Sequence, residues 1–243
     1  AAAMTGGLCR TRRQANACVL KRSIGITALG ATDGAVGPLV EALRDQGKET
    51  TVFHANGFGG AAFTRFAERG AFSEIVDLTP HELTRLHLAG AHVPMEGRFA
   101  AGRDVPRVVL PGGLNFIGLG EKSLVPLAYL ERPHYEHSGF FTHVKVTPEE
   151  MIRMATLLAE ALNESLGATQ LIVPMGGFSH QDREEGEIED PGLREAFLNT
   201  VRKELSSHVR LTVLDAHLFD PIVTAEILRT LDDAAEIPRN AAQ

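Results

Sequence analysis

Six short, almost wholly apolar runs, separated by longer stretches that mostly carry helical periodicity, constrain this chain more than any other feature. The runs are Ile24–Leu29, Thr51–His54, Glu74–Leu78, Arg107–Leu110, Leu171–Pro174 and Leu211–Leu214. A strand with one solvated face alternates polar and apolar residues, whereas a strand covered by helices on both faces is apolar throughout. The pattern therefore predicts an α/β fold with a mostly parallel sheet of about six strands.

Helix starts are marked by sequence as well. Thr79-Pro80-His81-Glu82 and Thr147-Pro148-Glu149-Glu150 each offer a capping threonine, a proline suited to the first turn and a glutamate that can close a capping box. Asp190-Pro191 and Asp220-Pro221 repeat the cap-then-proline pattern. After Thr147, Met151, Met154, Ala155, Leu158, Ala161 and Leu162 recur at three- and four-residue spacing, which reads as a core-facing stripe and not as a cofactor contact.

With 243 residues, 44% apolar and 23% charged, the chain suits one large globular domain or two small ones. Residues 1–22 show little periodicity and read as a linker or the remnant of a preceding domain; residues 23–243 read as the α/β domain. The chain opens Ala1-Ala2-Ala3 with Met4 its first methionine, an opening that fits a fragment or the tail of a preceding domain as well as a natural start. A formal charge of −7 with no lysine-rich stripe argues against nucleic acid, and the basic run Arg10 to Arg13 with Lys21 and Arg22 reads as a solvated tail. Cys9 and Cys18 lack zinc or disulfide spacing, so a reducing cytoplasm is expected. No apolar window approaches the roughly 18 residues of a membrane span.

In open α/β sheets ligands bind beyond the carboxyl ends of the strands, so those corners hold the candidate site. They read Gly30-Ala31-Thr32-Asp33-Gly34, His54-Ala55-Asn56-Gly57-Phe58-Gly59-Gly60, Pro111-Gly112-Gly113-Leu114-Asn115, Pro174-Met175-Gly176-Gly177-Phe178-Ser179 and Asp215-Ala216-His217. Glycine lets backbone amides approach a ligand, which favours phosphate or carboxylate, although tight turns also need glycine. Thr32, Asn56, Gly57, Gly59, Gly60, Gly112, Gly113, Asn115, Gly176, Gly177 and Ser179 are the expected ligand contacts. None of the corners is a Walker A loop or the full dinucleotide fingerprint, although Asp77 ends the third run. His54, His137, Asp215 and His217 are the candidates for acid–base chemistry or for a divalent metal, against the simpler reading of hydrogen-bonded structural groups. The least regular stretch, Gly113 to Thr147, holds Tyr129, His134, Tyr135, His137, Phe140, Phe141 and His143, and reads as a lid or subunit contact.

Several of these segments carry a resemblance. Phe53-His54-Ala55-Asn56-Gly57-Phe58-Gly59-Gly60, Pro111-Gly112-Gly113-Leu114-Asn115-Phe116, Gly177-Phe178-Ser179 and Leu214-Asp215-Ala216-His217-Leu218-Phe219-Asp220-Pro221 are similar, in order, to the C-terminal half of the UPF0261 family. This is the Tm-1-like ATP-binding family, named for a tomato protein that blocks tobamovirus RNA replication. The resemblance implies a Rossmann-like three-layer sandwich, one of two such halves, with ATP linked to the N-terminal half that is not part of this sequence. The turn Thr32-Asp33-Gly34-Ala35 departs from the family's Thr-Thr-Pro-Cys-like corner. The expected function is an α/β subunit that holds a small anionic molecule over its glycine-rich edge, with acid–base or metal-assisted catalysis as an extension. Its expected assembly is a homo-oligomer or a pair with a separate N-terminal-half subunit. The alternative is a non-catalytic interaction module or scaffold half of a two-part ATP-binding protein.

Overall fold

A computed structural model describes residues 22–90 and 93–236. The basic run, both cysteines and nearly all of the 1–22 segment fall outside the described residues. The six apolar runs all form strands: β1 (Ser23–Ala28), β2 (Thr50–His54), β3 (Phe72–Asp77), β4 (Arg107–Val109), β8 (Thr169–Pro174) and β9 (Val209–Leu214). They make one sheet in the order β2-β1-β3-β4-β8-β9, and every neighbouring pair is parallel.

Helices cover both faces, giving three layers. On one face α1 (Asp33–Asp45) and α7 (Pro221–Glu236) bury Leu39, Leu43, Val223, Ile227 and Leu231 against Ile24, Ile26, Val108 and Ile172. On the other, α2 (Phe58–Glu68) packs Phe63 against Phe72 and Ile75. There α3 (Glu82–His87), α5 (Pro148–Asn163) and α6 (Pro191–Glu204) enclose Leu83, Met151, Met154, Leu158 and Phe197 with Val109, Leu171 and Val173. The helix α4 (Leu127–Leu130) is a single exposed turn. Among the described residues no helix is long and apolar enough to cross a membrane.

Of the expected caps, two form as read. Thr147 Oγ1 accepts from the Glu150 amide at 3.2 Å while Glu150 accepts from the Thr147 amide at 2.8 Å, and Asp190 accepts from the Leu193 amide. The Thr79 box does not form. Thr79 is held by Thr27 and Thr32, at 3.0 and 2.8 Å, so α3 starts later, from an uncapped His81. Asp220 turns back to accept from the His217 amide at 2.7 Å.

The stretch read as irregular carries a second, antiparallel sheet in the order β5-β7-β6, from Phe116–Leu119 (β5), His134–Ser138 (β6) and Phe141–Lys145 (β7). Phe116 and Tyr135 of this flap pack with Leu29, Ala31, Ala55 and Ile188, closing it over the corners that follow β1 and β2. Arg132 forks onto Glu150 at 2.7 and 3.2 Å, and Lys145 reaches Asp190 at 2.9 Å, tying the flap to α5 and to the cap of α6.

Candidate functional site

The chain runs from β1 outward to β2, crosses back to β3 and then continues away, so the direction of strand order reverses between β1 and β3. Loops diverge at such a reversal and leave a crevice beyond the carboxyl ends. A cavity of about 250 Å³ lies there beneath the flap, lined by Leu29, Gly30, Ala31, His54, Asn56, His81, Arg85, His137, Ser138, Phe141 and His143. Gly30, His54 and His137 are exposed at its mouth, whereas His81 and His143 are buried.

The imidazoles are ordered by a column of rings. His137 stacks on His143 at 4.5 Å, His143 on Phe116 at 4.0 Å, and Phe116 leans on His81 at 4.6 Å. His137 occupies a register irregularity of β6, between the Glu136–Thr142 and Ser138–Phe141 pairs. Such bulges re-aim a side chain, and here Nε2 comes to where a Cβ on Gly30 would stand, 2.9 Å away. Tyr135 hydroxyl and His143 Nδ1 share a hydrogen bond at 2.8 Å across the β6–β7 pair.

Burial sets the protonation of the floor. His81 is held down to about 3 by burial, with the charge of Arg85 adding to this and its hydrogen bond to Gly113 opposing it. His143 is pushed to about 2 by burial, reinforced by His81, His137 and Arg85. His137 is lowered by burial and by His180 and His54, with Asp33 opposing. Both floor imidazoles are therefore neutral at pH 7.

The glycine corners behave differently from the sequence expectation. The Gly57 amide donates to Glu82 Oε1 at 2.8 Å, Gly112 to the Leu78 carbonyl at 3.1 Å, Gly113 to Phe178 at 3.0 Å, Gly176 to Ala216 at 2.7 Å and Gly177 to Pro174 at 3.4 Å. These amides satisfy protein acceptors and do not point at a shared pocket. Their missing side chains, with those of Gly59 and Gly60, make room for other chain segments: a Cβ would strike the His54 backbone at Gly59, the Glu82 carboxylate at Gly60, the Leu78 carbonyl at Gly112 and the Asp182 carbonyl at Gly177. Gly57, at φ 107, and Gly113, at φ 72, also need backbone that L residues avoid.

Of the four acid–base candidates, His54 and His137 come together at the cavity, whereas Asp215 and His217 lie elsewhere. Asp215 is exposed beyond β9. His217 lies beside Gly177 with Nε2 3.1 Å from the Ser179 carbonyl and Nδ1 accepting from the Phe219 amide at 3.1 Å. Both ring nitrogens thus hold backbone, so His217 is a turn-forming group. Thr32 is consumed by Leu29 and Thr79, and Asn115 Nδ2 donates to Ser179 Oγ at 3.0 Å; of the polar ligand contacts expected, Asn56 alone lines the cavity. Asp77 accepts two hydrogen bonds from Arg98. Among the described residues no group of three His, Cys, Asp or Glu is arranged to hold a metal ion. His81, Arg85 and His143 were not read from the sequence as site residues. The i, i+4 spacing of His81 and Arg85 on one face of a helix start was the available signal.

A family model described as the C-terminal domain of the uncharacterised protein family UPF0261 matches residues 21–235. The chain belongs to the UPF0261 family. A UPF0261 protein of Rhizobium meliloti (strain 1021) is 33% identical over 215 residues, covering 86% of this chain and 53% of that protein. A UPF0261 protein of Clostridium tetani is 32% identical over 191 residues, 76% of this chain and 47% of its own. The ToMV resistance protein Tm-1(GCR237) of Solanum lycopersicum is 28% identical over 218 residues, 88% of this chain and 28% of its own. This UPF0261 chain thus spans about half the length of those bacterial relatives and less of the tomato protein.

Proposed function

We propose that this chain binds a small anionic metabolite in the cavity between the β1 and β2 corners and the flap, with His54 and His137 at the mouth as the groups able to move a proton. The observation that carries this reading is the lining itself: four imidazoles, the Arg85 guanidinium and Asn56, with no carboxylate among the described lining residues. Pockets for drug-sized ligands run to about 300–1,000 Å³. At about 250 Å³ the cavity suits something smaller than a nucleotide. Thermal unfolding with carboxylates, phosphate and nucleotides tests this. A ligand at 100 times its Kd adds about 2.7 kcal/mol, a rise of roughly 5–10 °C for a domain of this size. The rise should vanish in His54→Ala and persist in Asp215→Ala; no response to any anion, or equal loss in both variants, contradicts the reading.

A second reading is favoured by Leu124, Leu127 and Phe140, exposed by 79%, 77% and 75% on the flap and its approach. Apolar groups of this kind suit an interface, here with a second copy of the chain. Sedimentation should show concentration-dependent dimers that Leu124→Glu with Leu127→Glu returns to monomers; a wild-type monomer throughout removes this reading.

A further inference from the structure

The floor of the cavity is selective in a way the anion reading alone does not require. His81 Nδ1 lies 2.7 Å from the Gly113 carbonyl, which can only accept, so the ring hydrogen is on Nδ1. In a neutral imidazole Nε2 is then a bare acceptor. His81 is 1% exposed, and Nε2 faces the space over Gly118, where a Cβ would stand 3.2 Å from it and 3.6 Å from an Arg85 terminal nitrogen. Gly118 has no positive φ and lies within β5, so its backbone does not demand glycine; the missing side chain keeps open the gap between acceptor and guanidinium. Gly30 does the same at the mouth beside His137.

We infer that the ligand is a small hydroxycarboxylate, whose carboxylate faces Arg85 and whose neighbouring hydroxyl donates its hydrogen to His81 Nε2. This rests on the anionic-metabolite reading and narrows it. An anionic oxygen placed against Nε2 would set lone pair against lone pair, and a ligand with no donor would leave a buried acceptor unpaired, which sites built for a hydroxyl reject strongly. A fully deprotonated phosphate fails on the same ground. The low proton affinity of the buried ring agrees with this, since burial keeps His81 from becoming a donor.

Lactate and propionate differ only by the hydroxyl, and sulfate, which carries no hydrogen at neutral pH, supplies charge alone, so calorimetric titration of the whole chain with these three separates the possibilities. Lactate should bind about tenfold or more tightly than propionate, and its addition should shift the Nε2 resonance of His81 in ¹⁵N spectra. In His81→Phe, which keeps a ring against Phe116, the two acids should bind within about twofold of each other. Gly118→Ala removes no hydrogen bond and serves if His81→Phe does not fold; its methyl should weaken lactate by about tenfold. Equal affinity for lactate and propionate, or sulfate binding more tightly than lactate, overturns the inference and leaves the anion site standing. Failure of all three to bind overturns both.

Discussion

Replacing Arg98 by methionine should cost about 3–5 kcal/mol and lower the unfolding temperature by about 10 °C or more. Arg98 is 2% exposed and forks onto Asp77 through two bonds of 2.9 Å while its Nε donates to Glu82 at 2.6 Å. Phe63 and Phe99 flank the guanidinium, 4.7 and 4.6 Å from it. Burial alone would raise the Asp77 carboxyl, but the charge and hydrogen bonds of Arg98 hold it below the usual carboxylate range. Removing the cation strands two carboxylates in the interior, and that penalty far exceeds what the ion pair contributes over an apolar replacement. Adding Asp77→Asn and Glu82→Gln to Arg98→Met should therefore recover stability. Arg98→Lys should recover little, because a point charge cannot fork across both partners. The damage should also reach the site: Glu82 accepts the Gly57 amide and adjoins His81, so the triad fixes the corner that carries His54. Urea unfolding measures the cost, and a loss below about 1 kcal/mol would show that the triad is not held in the folded protein as described.

This triad marks where sequence stops being informative. The parallel strands were legible because burial on both faces writes Leu171-Ile172-Val173 as an unbroken apolar run, 0% exposed at each position. Their first residues were missed where they are polar, as at Thr169, Gln170 and Arg210. The flap was illegible for the same reason in reverse. Its buried positions include Tyr135, Thr142 and His143, which do not produce the apolar alternation that betrays a half-buried strand. Glycine marked the corners correctly but not their purpose, since Gly59, Gly60 and Gly112 admit the protein's own chain, whereas Gly30 lines the cavity beside His137. Which partner a corner meets depends on strand order, and the reversal beside β1 is set by crossovers that leave no local trace. Thr79 and Glu82 read as a capping pair for the same reason, because Thr27, Thr32 and Arg98 are distant in sequence.

The buried imidazoles make acid the second large perturbation. Unfolded His81 and His143 take a proton near pH 6.5, whereas in the folded chain they wait until about 3 and about 2. Between those limits the unfolded state binds more protons, so stability rises with pH and is lost as pH falls below about 6.5. At about 1.4 kcal/mol per pH unit, each ring should cost about 2 kcal/mol by pH 5. His137 and His217, also lowered by burial, add loss of the same sign. Against a total of about 5–15 kcal/mol, the unfolding temperature should drop by about 10 °C between pH 7 and pH 5. Among the carboxylates, Asp77, held below its usual range by Arg98, withdraws its contribution only at still lower pH, and Asp182, raised by burial, works in the opposite direction. The slope therefore belongs to histidine, and His143→Phe, which preserves the ring between Phe116 and His137, should flatten it even while losing the Tyr135 hydrogen bond. A midpoint that stays level from pH 7 to 5 would mean that the floor of the cavity admits protons freely, and with that the bare acceptor at His81 Nε2 could not persist.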